Sequence, residues 1–412
     1  MIKVGKYTAA LILVIVGSLL LLDLTTNMDV TDELIKWWPA VIIMLGIEYL
    51  LLSSIYRGPD HKLGFAVGSL ILSLVLSIAV IGYTSFPNMS FFNSINIGNI
   101  AFSDKNGKSY DKGTTEIPML NKYDKVYVHN PNGEIEIITG DIEDIEIATT
   151  LYVSRMKSDE ADEIAEASSV EYKDNGDTLE IEANGKEYRL FGIKQKPRMD
   201  MIITVPAGKE VDYEIDMTNG KLVAKDIAVK EIFEIKTTNG GITISDIQGK
   251  VFAHTTNGAM LIENIQGSIE LDTTNGTITA NNVDGDMFAN TTNGKIIATQ
   301  ISGKVEADTT NGSITLTDVY EDVVADTTNG GIVVRSVTLG GDWELDTTNG
   351  AIKIYLPELA NFEIEGDAAS YTTVHSDFPL SISKGEVSGR VGTGEHEINI
   401  NTNSELGIYK NH

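Results

Sequence analysis

The sequence contains no cysteine. That excludes disulfides, thiolate metal sites, cysteine nucleophiles and palmitoyl anchors. Histidine is scarce as well. The six, at 61, 129, 254, 375, 396 and 412, are too scattered for a histidine-rich metal centre. Proline contributes only 9 of 412 residues against 38 glycines, so the chain turns often without being a proline-rich disordered polymer. Basic charge is in short supply: 31 Lys and Arg face 59 Asp and Glu, a net charge of −28. Nucleic acid is excluded as a partner class, because displacing its counterions needs a basic footprint. No Gly-x-Ser-x-Gly elbow, phosphate loop or His-Glu-x-x-His is present, so the common hydrolase, nucleotide and zinc-protease chemistries lack their signatures.

Long apolar runs are confined to the N-terminal fifth. Residues 8–24, 37–55 and 64–83 each approach the ~20 residues that span a ~30 Å hydrocarbon core. A cleaved signal peptide is disfavoured for the first run, since no small-x-small site follows Leu24 and two further runs come next. Lys3 and Lys6 precede the first run, and Arg57, His61 and Lys62 fill the loop between the second and third. Asp29, Asp32 and Glu33 mark the intervening loop. Positive charge stays inside, so the expectation is three transmembrane helices with a cytoplasmic N-terminus, delivering everything after Tyr83 to the extracytoplasmic side. Residues 1–83 are close to neutral, and nearly all of the negative charge falls beyond them. Within the spans, Gly64, Gly68, Ser69, Ser73 and Ser77 form a small-residue stripe suited to helix packing. Glu48 is an intramembrane carboxylate, read either as a snorkelling side chain or as part of an ion pathway.

The rest of the chain repeats. Met217-Thr-Asn-Gly220 is followed by Thr-Thr-Asn-Gly ending at Gly240, Gly258, Gly276, Gly294, Gly312, Gly330 and Gly350, mostly at 18-residue spacing. Each unit divides into two nine-residue halves with apolar residues at positions two and four, as in Ile278 and Ala280 or Val305 and Ala307. This period-two pattern predicts strands with one buried face. Position seven is Ile or Val in the first half (Ile265, Val283, Ile301) and the second threonine in the other (Thr256, Thr274, Thr292, Thr310), and both are expected to face inward after a bend. Asn-Gly is a hairpin signal, but hairpins do not explain equal units with inward positions in register. The pattern predicts a mainly β protein, a parallel β-solenoid of about 18 residues per rung, with equivalent residues stacked ~4.8 Å apart. The structural repeat residues are Asn239, Gly240, Asn257, Gly258, Asn275, Gly276, Asn293, Gly294, Asn311, Gly312, Asn329, Gly330, Asn349 and Gly350. Their asparagines would stack as an amide ladder, and their Asn-Gly turns tolerate positive φ.

The expected organisation is a three-span membrane domain (1–83), a linker (84–119), an irregular β region with one short helix after Ser158 as the N-terminal cap (120–215), the repeat solenoid (216–350), and C-terminal rungs with a tail (351–412). Two surface features could carry binding. Stacked acids on one edge, Asp308 and Asp326 in particular, offer oxygen ligands of the kind calcium takes; the alternative is a solvated acidic edge. No other cofactor is expected. Lys186, Arg189, Lys194, Lys196 and Arg198 form a basic cluster in an otherwise acidic region, suited to anionic wall polymer or lipid headgroups, or else to a solvated loop.

Trp37-Trp38-Pro39 and the apolar run to Gly46 and Glu48 resemble the transmembrane region of LiaI- and LiaF-type envelope-stress proteins of Gram-positive bacteria. The Thr-Thr-Asn-Gly rungs, with Val205-Pro206 upstream and Gly392-Thr-Gly394 near the end, resemble the adhesin-type β-strand-repeat domain also found in LiaG-type proteins. The chain departs from these patterns in having serine at Ser404, where the repeat has glycine, and three spans where LiaF-type proteins usually have four. The resemblance implies an exported, membrane-anchored domain and brings no catalytic residues. The function expected is a non-enzymatic binding or stress-sensing module, with a scaffold for other membrane proteins as the alternative and an envelope polysaccharide enzyme as the weaker one. The partners expected are the lipid membrane, cell-wall polymer or another membrane protein.

Overall fold

The computed structural model describes residues 107–411 except 155–157 and 191–192, together with residues 2–4, 7–12, 14–15, 44, 47–48, 52 and 63–65 of the first hundred. The chain divides into two compact units, Met1–Ile100 and Ala101–His412. In the first, Ile2–Val4 pairs in parallel with Leu63–Phe65. Among the described residues no helix is long and apolar enough to cross a membrane. The runs at 8–24, 37–55 and 64–83 lie largely outside the described residues.

The second unit is mainly β, a solenoid of two parallel ladders. One ladder stacks the first halves: Met260–Gln266, Ile278–Asp284, Ile296–Ile301, Ile314–Val319 and Ile332–Arg335. The other stacks the second halves: Ile269–Thr273, Met287–Thr291, Val305–Thr309 and Val323–Thr327. We call these the first and second sheets. Registers advance by one repeat per rung, with Ile278 beside Ile296 and Val305 between Met287 and Val323. Inward residues at positions two and four interlock between the sheets and are buried throughout, as at Ile296, Ala298, Val305 and Ala307. Outward residues alternate with them. Parallel ladders need both a buried face and closed rungs, and the two halves of each repeat supply them.

The two halves end differently. In the second, alternation continues through position six, so the first threonine faces inward: Thr255, Thr273, Thr291, Thr309 and Thr327 are buried. The expectation that Thr256, Thr274, Thr292 and Thr310 point inward is corrected, since three of them are exposed and Thr256 is only half-buried. In the first half the bend comes at position six. Asp246, Asn264, Asn282, Gln300 and Asp318 all take φ of 54–60°. This single left-handed residue re-aims the next side chain, so Ile247, Ile265, Val283, Ile301 and Val319 are buried.

The ends are more elaborate than the middle. The strand Lys108–Ile117, placed by sequence in a linker, pairs antiparallel with Ile145–Val153 and belongs to the N-terminal cap. Helix α1, Ser158–Glu166, buries Ala161, Ile164 and Ala165 against the core. Strand Lys108–Ile117 holds it from outside: Lys108 and Tyr110 donate to Asp162, and Lys112 donates to the Ala165 carbonyl near its C-terminus. At the other end the chain doubles back. Strand His396–Thr402 slots between Trp343–Thr347 and Phe362–Ala368, in parallel with both. The last rung in sequence is therefore not the last in space.

Candidate functional site

The Asn-Gly corner is a stack of side-chain ladders. From Asn239 through Asn349, each Asn Nδ2 donates to the Oδ1 one rung earlier, starting on Asn219, at 2.8–3.0 Å. Each inward threonine from Thr255 on donates its hydroxyl to the carbonyl of the marker glycine of the preceding rung, at 2.7–3.2 Å, ending with Thr402 on Gly350. The marker glycines Gly240, Gly258, Gly276, Gly294, Gly312, Gly330 and Gly350 do not take left-handed φ, which corrects the turn-based reason for them. They are required by proximity: a Cβ on Gly312 would lie 1.7 Å from the Gly294 carbonyl oxygen, and the same holds within 1.8 Å along the stack. The rung stack, though not the amide ladder, begins earlier than the sequence reading placed it, and the Asn132 Nδ2 donates instead to the Lys196 carbonyl. Asn132 and Gly133 stack beneath Asn219 and Gly220. That marker, Asn130-Pro-Asn-Gly133, was missed because the cap intervenes before the next rung; the Asn-Gly pair ending an alternating strand was the available signal.

Position five of the second half forms an outward column: His254, Asp272, Asn290, Asp308, Asp326 and Asp346 are neighbours in register. Asp326 sits between two aspartates. Partial burial, then the charges of Asp308, Asp346 and Glu344, hold its carboxyl above the usual carboxylate range. The column is linear, with at most one carboxylate per rung. Among the described residues no group of three His, Asp or Glu converges to hold a metal ion. Several other acids are occupied by backbone. Asp286, Asp322 and Asp342 each accept the amide that opens the next rung, from Lys304, Asp342 and Glu397.

The basic cluster does not hold together as one surface. Arg198 is buried, pairing with Glu134 at 2.9 Å and Asp200 at 2.7 Å. It is an internal tie of the cap, which removes it from the surface binding set. Alternation fails at the start of its strand, where Arg198 and Met199 are both buried. Lys186, Lys194 and Lys196 are exposed, and Lys194 pairs with Glu187 at 2.7 Å. Arg189 stands opposite Lys194 in a short hairpin; its side chain lies outside the described residues. A shallow groove of about 280 Å³ runs beside this region, lined by Glu134, Tyr152, Asp200, Ile202 and Lys221 among others. Two of its acids are the partners of Arg198, so it offers no free carboxylate pair for acid–base chemistry.

In the first unit Glu48 is buried. Its Oε2 accepts from the Thr8 amide at 2.8 Å and hydroxyl at 2.5 Å, and Oε1 accepts from the Tyr7 amide at 3.3 Å. It satisfies backbone donors exposed at a helix start.

These ladders meet a family pattern. A model described as Toastrack DUF4097 matches residues 123–319 and 302–405. The chain belongs to the Toastrack DUF4097 family. A second model, the LiaI-LiaF-like transmembrane region, matches residues 7–50 and implies membrane association. No curated protein matches the chain. Among solved structures, the Toastrack unit is similar to a candidate cell-adhesion protein from Clostridium sporogenes (11% identity, 74% of this chain and 100% of that one, TM-score 0.24). It is also similar to a candidate lipid-binding protein from Parabacteroides distasonis (13%, 74% and 98%, TM-score 0.35). A candidate adhesin from Bacteroides fragilis matches at 13%, 74% and 98%, with a TM-score of 0.28. These superpositions are too loose to carry a function across.

Proposed function

We propose that this chain is a membrane-anchored surface protein. Three N-terminal spans hold a Toastrack solenoid outside the cytoplasmic membrane, where it binds or senses an envelope component as an adhesin or stress-sensing module, without catalysis. The observation that carries this reading is where the polar groups go. The repeated Asn, Thr and several Asp side chains are spent on the rungs themselves, and what faces outward is a repeated surface on which, among the described residues, no three His, Asp or Glu side chains converge to hold a metal. A repeated surface suits extended or multivalent ligands. The exposed Lys186, Lys194 and Lys196 would add a contact for anionic polymer or headgroups. The crowding of Asp326 between Asp308 and Asp346 is what calcium would relieve.

Topology is tested with reporters in the full chain. A fusion after residue 100 should be active only outside the cytoplasm and one near Gly58 only inside; the reverse pattern overturns the three-span reading. Wall polymer should then retain the chain, with loss on replacing Lys186, Lys194 and Lys196 by Glu. For calcium, millimolar ion should raise Tm and Asp308→Asn should abolish the rise; no shift in the parent leaves a solvated edge.

A further inference from the structure

The outward faces of the two sheets differ in charge. At outward positions three and five of the first sheet, across strands from Leu222–Lys225 to Ile352–Leu356, the charged side chains are Lys225, Arg335 and Lys353 against Glu263, with Lys221 and Lys295 beside them at position one. The other residues at those two positions are Thr, Ser, Asn, Tyr and aliphatic side chains; Asp226, Asp246, Asp284 and Asp318 lie off this face, at or just after the left-handed corner. On the second sheet the same rungs present Glu270, Asp272, Glu306, Asp308, Asp326 and Glu344, with few lysines among them. In a chain of net charge −28, one face of the slab is weakly basic and the other strongly acidic.

A second pattern runs along the central outward position, three, of every half. On the first sheet it reads Thr243, Leu261, Thr279, Ile297, Thr315, Val333, Lys353. On the second it reads Glu234, Phe252, Glu270, Phe288, Glu306, Val324, Glu344. Both columns alternate polar and apolar with a period of two rungs, about 10 Å. Phe288, in the second column, is 37% exposed.

We propose that the first-sheet face of one copy docks on the second-sheet face of another. With the copies parallel and offset by one rung, every central position finds a suitable partner. Leu261, Ile297 and Val333 lie over Phe252, Phe288 and Val324. Thr279 and Thr315 lie over Glu270 and Glu306, and Lys353 lies over Glu344. The charge complementarity selects this pairing over the alternatives: two second-sheet faces repel, and two first-sheet faces leave the acidic ones unpaired. Because the contact joins different faces, it does not close on itself and builds an open row of rods. The projected face, roughly 34 by 17 Å, is small beside a standard interface, so the contact is weak singly and gains from repetition along the row. The inference does not depend on which side of the membrane the solenoid lies.

The absence of cysteine makes the test direct. Two differently tagged full-length copies, one carrying Thr279→Cys and the other Glu270→Cys, are co-expressed and treated in membranes with a short, membrane-permeant bis-maleimide. The mixed-tag product should dominate over either same-face product. Moving the second cysteine to Glu306 should weaken it, and high salt should reduce it. Lys295→Glu with Lys353→Glu in the Thr279→Cys copy should abolish it, and Asp308→Lys with Glu344→Lys in the partner copy should restore it. Restoration also shows that the reversed chains fold. Dominant same-face products, a mixed product indifferent to salt and charge reversal, or no product would each overturn the proposal.

Discussion

The two corners of each Toastrack rung solve the same problem by different means. At the Asn-Gly corner successive rungs approach so closely that any Cβ at Gly312 collides with the Gly294 carbonyl. The neighbouring side chains are fixed as well, because Asn311 and Thr309 each bond to the rung before. At the opposite corner a single residue takes left-handed φ, and Asp246, Asn264, Asn282, Gln300 and Asp318 all do so. Steric exclusion allows one answer; a modest torsional cost allows several. Hence one corner is nearly invariant along the array and the other is not.

That contrast can be broken at four points, in decreasing order of effect. Val305→Asp puts an unpaired charge into the buried stack between Met287 and Val323, and should cost about 4 kcal/mol or more in chemical denaturation. A loss under about 1 kcal/mol would mean that position two is not interior. Gly312→Ala comes next, at about 2–4 kcal/mol, since backbone must move to admit the Cβ. The opposite corner should respond with the other sign: Gln300→Gly relieves a left-handed non-glycine and should stabilise by about 0.5–1 kcal/mol, while Gln300→Val should destabilise by about 1–2 kcal/mol.

The smallest effect is in the acidic column. Because the Asp326 carboxyl in the folded chain lies above its ordinary value, the folded state holds that proton more tightly than the unfolded state. Its contribution is therefore most favourable at acid pH and is lost as pH rises from the ordinary carboxylate value through the raised one. Asp326→Asn should stabilise at pH 7, by about 0.2–1 kcal/mol on the scale of cross-strand like-charge pairs, and the gain should vanish near pH 3. A gain that is independent of pH would point to something other than charge.

What could be read from sequence follows the same division. The Thr-Thr-Asn-Gly spacing revealed the rungs because close approach leaves no other residues. The left-handed corner was legible only as a break in alternation, since Asp, Asn and Gln share no letter there. The threonine that faces inward was misassigned because a bend was assumed in both halves, whereas only the first half contains the left-handed residue. The buried Arg198 was beyond pattern reading, as its partners Glu134 and Asp200 come from different strands of the cap. So was the return of His396–Thr402 beneath Phe362–Ala368, which depends on long-range pairing. Its marker, Asn401-Thr-Asn-Ser404, nonetheless keeps the rung chemistry: Thr402 bonds Gly350 as the threonines from Thr255 to Thr347 bond their glycines, and the Ser404 amide closes the turn onto the same hydroxyl.

The central claim is that equivalent residues stack in parallel, rung upon rung. Glu270 and Glu306 are two rungs apart on the second sheet, joined in register through Phe288. The cysteine-free chain accepts spin labels at Glu270→Cys and Glu306→Cys without background. Double electron resonance or continuous-wave line broadening should give a backbone separation of about 10 Å. A separation well above roughly 15 Å would contradict the parallel solenoid, and with it both the acidic column and the docking of one face on another.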